Sequence, residues 1–266
     1  MYDAAALPNA PRQLEPLVRN GTIPARRVWI MLALRSFVSF TLLLTVAGIF
    51  AARGSADAVL ESAAWWLWFV TITNVLTVVL MRRFAHAEGL RLRDLYFVNR
   101  ASWKGDLLWL VLGLVVTAVV AQAPGLALAK ALWGDAAFPN DMLFQPLPLL
   151  AVYPLFVLMP TIHAFAELPL YWGYVAPRLR ARGMSAWLTI LLVASVLSVQ
   201  HMFFSFQLDW RYDLWLAVKF LPFAVWTGYL VHRRPTVLPY MMAAHFALDA
   251  MLPVLVYMVS TGVSLS

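Results

Sequence analysis

Long apolar runs alternate with short polar stretches along the whole chain. A sliding-window reading places the apolar runs at roughly 28–52, 63–81, 107–129, 146–176, 186–205, 213–231 and 239–260. Most of them approach the ~20 residues that a helix needs to cross the hydrocarbon core of a bilayer. The pattern therefore predicts an all-α, polytopic transmembrane helical bundle with about seven to eight membrane segments.

The first polar stretch separates two predicted regions. Residues 1–27 are polar and contain prolines and arginines, and they are longer than the basic region of a usual signal peptide. We interpret them as a cytoplasmic N-terminal tail. Residues 28–266 then form a single membrane domain.

Composition supports the same interpretation. Hydrophobic residues make up 62% of the chain and charged residues only 12%, about half of what a soluble domain carries. The net charge of +7 would suit a nucleic-acid partner, but the basic residues lie in short clusters between apolar runs, as topology signals do. We therefore expect membrane lipids and no nucleic acid as partners. The absence of cysteine excludes disulfides, thiolate metal ligands and cysteine nucleophiles.

Charge asymmetry between the connections predicts the orientation. Basic clusters lie in the tail, at 82–106, at 178–182 and at 232–234, whereas the connections between them are not basic. Seven crossings with a cytoplasmic amino terminus place every basic cluster on one side. The fourth run is longer than one span needs, so it should be broken, with Pro160 and Pro169 as the break points. Eight segments with one half-helix are the alternative.

Two further expectations concern basic residues. The 82–106 stretch is either an amphipathic helix on the membrane surface or a solvated loop. Arg35 and Lys219 each lie within about two helical turns of a span end, so their side chains should extend to the membrane surface.

Five other ionisable residues within the predicted spans form groups. His163 and Glu167 are four residues apart, as are His245 and Asp249, and this spacing places each pair on one helix face. His201 adds an imidazole from a third helix. Ionisable residues are costly inside a membrane, and they usually mark a functional cavity. Hydrogen bonding between helices is the structural alternative.

Several kinds of chemistry are compatible with these side chains. A buried glutamate can act as a general base, and imidazoles can carry protons or stabilise an oxyanion. The set also suits a divalent metal such as zinc, with Glu167, His201 and His245 as candidate ligands. A third possibility is a relay for protons or metal ions in a transporter.

Three short segments place these residues in a characteristic order. They are AELPLYWGYVAPRL around Glu167, LSVQH ending at His201, and HFALD from His245 to Asp249. This order resembles the CPBP family of intramembrane proteases, which includes type II CAAX prenyl endopeptidases and bacteriocin-processing and immunity proteins. The blocks of that family are E-E-x-x-x-R, F-x-x-x-H and H-x-x-x-N or H-x-x-x-D. The resemblance covers about residues 150–255, and we expect no chemistry from the rest of the chain.

The chain departs from the family pattern at three positions. Aligning Gly173 with the glycine that commonly follows the arginine places Leu168 at the second glutamate and Trp172 at the arginine. Leu197 replaces the phenylalanine of the second block, and the third block is intact.

The resemblance implies an intramembrane endopeptidase in a bacterial plasma membrane, acting on a peptide or a lipidated protein. Glu167 would activate water with the assistance of His201, and His245 with Asp249 would hold the oxyanion. His163, which has no counterpart in the blocks, would support Glu167. Both metal-dependent and metal-free reactions have been described for the family. A non-catalytic interaction or immunity protein is the main alternative, and an ion or metal transporter is the other.

Overall fold

Long apolar helices dominate the computed structural model, which describes residues 7–263 apart from the side chain of Ala121. Within these residues, seven helical segments are long and apolar enough to cross a membrane. They are Ala25–Ala52, Trp66–Ala87, Trp103–Trp133, Leu149–Ala181, Ala186–Phe204, Trp210–Arg233 and Pro235–Ser260. The predicted all-α membrane bundle is confirmed, and each predicted apolar run corresponds to one of these segments.

The helices number fourteen in the described part of the chain, which contains no strand. They are α1 (Pro11–Arg19), α2 (Ala25–Ala52), α3 (Ala58–Ala63), α4 (Trp66–Ala87), α5 (Trp103–Trp133), α6 (Phe138–Leu143), α7 (Leu149–Val152), α8 (Leu155–Leu168), α9 (Ala176–Ala181), α10 (Ala186–Phe204), α11 (Trp210–Lys219), α12 (Leu221–Arg233), α13 (Leu238–Asp249) and α14 (Met251–Ser260). Short 3₁₀ turns occur at Leu92–Leu95 and Pro235–Val237, and a π-helical turn at Pro169–Val175.

The fourth membrane segment is irregular for reasons that its prolines explain. Pro169 has no N–H group to bond to the preceding turn, and the helix continues from it as the π-helical turn. The predicted break at Pro160 is wrong. Pro160 lies in the second turn of α8, which continues to Leu168, and the earlier interruption falls between α7 and α8 at Tyr153 and Pro154.

The connection between α4 and α5 settles the two alternatives for the 82–106 stretch. α4 extends to Ala87 and α5 begins at Trp103. Between them lies only the 3₁₀ turn Leu92–Leu95. Residues 88–102 are therefore a connecting loop with one short turn and no amphipathic surface helix, and the ends of the 82–106 stretch belong to α4 and α5.

The central helices pack closely, and one helix stays outside them. α8 packs against α4 and α13, and α10 packs against α2 and α12. α5 contacts α11 and α12, yet only 12% of its most apolar window is buried. In a bilayer, α5 would accordingly face lipid over most of its surface, whereas α2, α4, α8, α10 and α13 enclose the interior.

The described part of the predicted N-terminal tail is folded onto the membrane domain. α1 packs against α9, and Leu14 and Ile23 are buried. The side-chain amide of Asn9 donates to the carbonyl oxygen of Gly173 in the π-helical turn. A Cβ atom at Gly173 would lie 2.7 Å from the carbonyl oxygen of Leu95, so only glycine allows this close approach.

A buried ion pair joins the loop after α4 to α9. Both side chains of Glu88 and Arg178 are fully buried, and the guanidinium donates to the carboxylate. The Tyr174 hydroxyl and Arg27 also donate to Glu88, at 2.8 Å and 3.1 Å. Arg178 therefore belongs to the folded interior, although the charge pattern had placed it in a basic connection between spans.

Glu88→Gln should lower the free energy of unfolding by about 3–5 kcal/mol, because it leaves the buried Arg178 without a counter-charge. The measurement is thermal unfolding of the purified protein in detergent. Glu15→Gln is the matched control, since its ion pair with Arg19 is solvent-exposed and worth at most ~1 kcal/mol. Equal melting temperatures for the two variants would contradict this assignment.

Candidate active site

Glu167 lies at the centre of a buried polar cluster. Its Oε2 atom accepts hydrogen bonds from Arg35 Nη2 at 2.9 Å and from Gln200 Nε2 at 2.7 Å. Its Oε1 atom faces two imidazoles, with His163 Nε2 at 3.4 Å and His245 Nε2 at 3.6 Å. One carboxylate oxygen is thus held by the protein, while the other faces the histidines at distances beyond a normal hydrogen bond.

Arg35 belongs to this cluster, so the prediction that it extends to the membrane surface is wrong. Its side chain is fully buried. The guanidinium donates to Glu167, to the side-chain oxygen of Asn74 and, at 2.8 Å, to the side-chain oxygen of Gln200. A charge next to an interior carboxylate gains more from pairing than from reaching water, because the low dielectric strengthens the attraction.

Gln200 connects three helical segments within the cluster. Its amide nitrogen donates to Glu167, and its side-chain oxygen accepts from Arg35 and from the Tyr171 hydroxyl, the latter at 2.7 Å. Tyr171 comes from the π-helical turn and is fully buried. All three partners agree with one amide orientation, which fixes the side chain.

A chain of hydrogen bonds sets the tautomer of His163. Arg35 can only donate, so the Asn74 oxygen must face it, and the Asn74 amide nitrogen then faces His163 Nδ1 at 2.9 Å. Because an amide nitrogen only donates, Nδ1 accepts, and the neutral imidazole carries its proton on Nε2. That N–H group faces Glu167 Oε1 at 3.4 Å and Asp249 Oδ2 at 3.7 Å.

His245 and Asp249 complete the opposite side of the cluster. Their Nδ1 and Oδ2 atoms are 3.0 Å apart, but they are not aligned as a hydrogen bond, and neither atom has another hydrogen-bond partner within residues 7–263. The ring of His245 stacks on that of His163, with centroids 5.0 Å apart. The two predicted i, i+4 pairs therefore meet across the contact between α8 and α13.

His201 lies in the same cavity but outside this cluster. No ion pair joins it to Glu167 within 4.0 Å. Its Nδ1 atom is 2.9 Å from the carbonyl oxygen of Leu197, and its ring stacks on Phe220 at 3.8 Å. The sequence had assigned a supporting role to His163 and a partner role to His201. The structure instead places His163 against Glu167 and His201 farther along the wall.

A cavity of about 380 Å³ contains all the predicted site residues. This volume lies within the ~300–1,000 Å³ usual for small-ligand sites. Its ionisable lining residues are His163, Glu167, His201, Lys219, His245 and Asp249. Aromatic and aliphatic side chains, among them Trp66, Phe144, Phe204, Trp215 and Phe223, form most of the remaining wall. The arrangement combines a buried carboxylate, imidazoles and an apolar surface.

The residues also contain a group with the spacing of metal ligands. One ligand atom from each of His163, His245 and Asp249 lies within 4.8 Å of the others. Of the ligands proposed from the sequence, only His245 belongs to this group. The His163 tautomer does not fit a metal, since Nδ1 is bonded to Asn74 and Nε2 carries the proton. Ligation would require Asn74 to turn away from Arg35.

Three residues of the cluster were not predicted from the sequence, and no chemistry was expected from the first membrane segments. Arg35 and Asn74 come from α2 and α4, and Gln200 directly precedes His201. Asn74 lies among Thr71, Thr73 and Thr77, which are all buried. That polar series in an apolar span, and an arginine ten residues after the start of α2, are the signals that could have identified them.

Comparison with protein-family models, with curated proteins and with solved structures gives no significant match for this chain. In the structure the three short sequence segments contribute to one cavity, which is lined by Glu167, His201, His245 and Asp249.

Arg35→Met and Glu167→Met should each destabilise the protein by about 3–5 kcal/mol, because each leaves a buried charge unpaired. The double variant should lose much less than the sum, since both charges are then absent. Melting temperatures of the four proteins in detergent measure this coupling. The partly exposed pair of Asp209 and Arg211 is the control cycle, for which we expect nearly additive effects. Additive losses at Arg35 and Glu167 would contradict their pairing.

Proposed function

We propose that this integral multi-pass membrane protein is a peptidase that activates water with Glu167. One observation carries the proposal. Arg35 and Gln200 hold one oxygen of the Glu167 carboxylate, and the other oxygen faces two imidazoles in a buried cavity. A carboxylate that is fixed and directed in this way has the geometry of a general base.

The first step of the proposed reaction transfers a proton from water to Glu167 Oε1. The water oxygen forms a bond to the carbonyl carbon of the peptide. The π electrons of the C=O bond then move onto the carbonyl oxygen. Arg35 offsets the charge of the free carboxylate and keeps it oriented. Most of the cavity wall is apolar, and such a low-dielectric environment strengthens each electrostatic contact.

Two imidazoles are positioned to stabilise the tetrahedral intermediate. His163 presents an N–H group at Nε2, since its Nδ1 atom accepts from Asn74. His245 presents Nε2 beside it, and the Asp249 carboxylate lies 3.0 Å from its Nδ1 atom. The oxyanion then collapses, the C–N bond breaks, and the leaving nitrogen takes the proton from Glu167. The products are a carboxylic acid, which ionises, and an amine.

This assignment keeps most of the roles implied by the family resemblance and changes one. Glu167 remains the base, and His245 with Asp249 the electrophilic side. His163 takes the place beside Glu167 that the resemblance gave to His201, since it is the imidazole within 3.4 Å. His201 lines the cavity and would contact substrate.

The proposed substrate is a peptide or lipidated protein segment that reaches the cavity from the membrane. We propose a cytoplasmic amino terminus, because α1 packs against α9, which carries Arg178 and Arg180, and lines one groove with His232 and Pro235 near the end of α12. The assignment to a bacterial plasma membrane depends on the resemblance alone.

A non-catalytic role is the second candidate, and a specific observation favours it. Arg35, Asn74, Gln200 and Glu167 bond to one another so completely that the network would also hold helices together without any reaction. The departures at Leu168 and Trp172 fit such a protein. An interaction or immunity protein would keep this network and have no hydrolytic activity.

Glu167→Gln should reduce peptide cleavage by about 10²–10⁴-fold, because the amide cannot accept the water proton. The variant also leaves Arg35 without a counter-charge, so cleavage is compared for protein whose thermal unfolding transition shows that it is folded. Purified wild type and variant are compared in detergent with a library of prenylated and plain peptides. Glu61→Gln, at an exposed position outside the cavity, is the control and should cleave normally. Normal cleavage by Glu167→Gln would exclude this residue as the base, and no cleavage by wild type would favour the non-catalytic role.

Cleavage should be insensitive to metal chelators, because the one unprotonated nitrogen of His163, Nδ1, is occupied by the hydrogen bond from Asn74. The measurement is the cleavage rate after dialysis against a strong chelator, with and without added zinc. Asn74→Leu removes the amide that bonds His163 Nδ1, and its cleavage rate is measured in the same way for comparison. Loss of wild-type cleavage with chelator and its recovery with zinc would show that the metal-free mechanism is wrong.

A further inference from the structure

One wall of the cavity presents a cation that the proposed reaction does not use. Lys219 ends α11, and its ammonium lies 3.6 Å from the ring centroid of Trp215 and 4.7 Å from that of Phe220. Trp215 is buried, so the predicted extension of Lys219 to the membrane surface is wrong. The ammonium lies instead against aromatic rings that line the cavity.

The charge of Lys219 has no counter-ion in the described part of the chain. No carboxylate in residues 7–263 lies within 4.0 Å of the ammonium, and no oxygen there accepts a hydrogen bond from it. The other cations of the membrane interior are paired: Arg35 with Glu167, and Arg178 with Glu88. Aromatic faces offset only part of the cost of removing an ammonium from water. A bound anion would therefore supply the counter-ion that Lys219 lacks.

Packing fixes this side chain in position. Gly125 of α5 faces the stem of Lys219, and a Cβ atom there would lie 3.2 Å from Lys219 Cβ. The indole N–H of Trp215 donates to the carbonyl oxygen of Gly125 at 3.0 Å, which orients the ring under the ammonium. The charge is consequently held in place, as a recognition group requires.

The same wall leads to the Glu167 cluster. The His201 ring stacks on Phe220 beside Lys219. Phe223, four residues after Lys219, has its ring parallel to that of His245 at 6.4 Å. A substrate that spans this wall would place one group at Lys219 and another at the Glu167 carboxylate.

We propose that Lys219 binds a carboxylate of the peptide substrate and thereby makes the cavity selective for peptides that present one near the cleaved bond. This inference rests on the proposed function and names the substrate class. Of the cavity-lining residues, Lys219 alone is a lysine or arginine, and one positive charge matches a monovalent carboxylate better than a phosphate dianion. The carboxylate is either the free C-terminus or an acidic side chain.

Peptide binding tests the inference separately from cleavage. The Glu167→Gln protein is titrated with fluorescent peptides synthesised in pairs: free acid against C-terminal amide, and glutamate against glutamine at each position. We expect about tenfold or tighter binding of the acid member of at least one pair, since a charged hydrogen bond is lost in the other member. The pair that responds identifies the source of the carboxylate.

Variants at Lys219 complete the test. In the same background, Lys219→Met should reduce the acid-to-amide affinity ratio to about one, and Lys219→Arg should retain most of it. Lys130→Met removes an exposed lysine of α5 and should leave the ratio unchanged. Equal affinity for both members of every pair, no peptide binding, or an unchanged ratio in Lys219→Met would overturn the inference. Selective binding without any cleavage by wild type would instead refute the peptidase and keep the carboxylate site.

Discussion

The ion pair between Arg35 and Glu167 is the interaction on which the interior depends. A lone charge at this depth is costly, and two charges become acceptable only when each is paired and hydrogen-bonded. Asn74 and Gln200 supply the additional bonds, so α2, α4, α8 and α10 each contribute one member. Removing any member leaves a buried polar group unsatisfied. The helices are therefore held in one relative rotation by the network, as well as by apolar packing.

The π-helical turn connects this network to the basic end of the bundle. Because Pro169 has no N–H group, the helix widens there, and Tyr171 reaches Gln200 from the widened turn. Two residues later, the carbonyl oxygen of Gly173 accepts from Asn9 near the start of the chain. A single irregular turn thus positions both the site and the docking of the N-terminal segment. Irregular backbone inside a membrane bundle is tolerated where it is buried in protein, as this turn is.

The features predicted correctly from the sequence are those that depend on local order. The seven membrane segments are predicted from apolar runs that are long enough to cross a bilayer. The contact between His163 and Glu167 is predicted from their spacing of four residues on one helix. The errors involve interactions between distant segments. Arg35 was treated as an isolated cation near a span end, because nothing local shows that Glu167 lies 132 positions away as its partner. Asn74 and Gln200 were missed for the same reason, since their roles depend on how helices rotate against one another.

The network also supplies a guanidinium to Glu167 although position 172 is not an arginine. In the family proposed from the short segments, the first block ends in an arginine, and Trp172 holds the corresponding position here. The indole of Trp172 packs directly on Gly228, and a Cβ atom at position 228 would lie 2.4 Å from that ring. An apolar contact therefore occupies the position of the arginine. The guanidinium reaches the carboxylate from α2 instead, through Arg35. That placement has a consequence of its own. Because Arg35 also bonds Asn74, one cation both holds Glu167 and sets the proton position on His163.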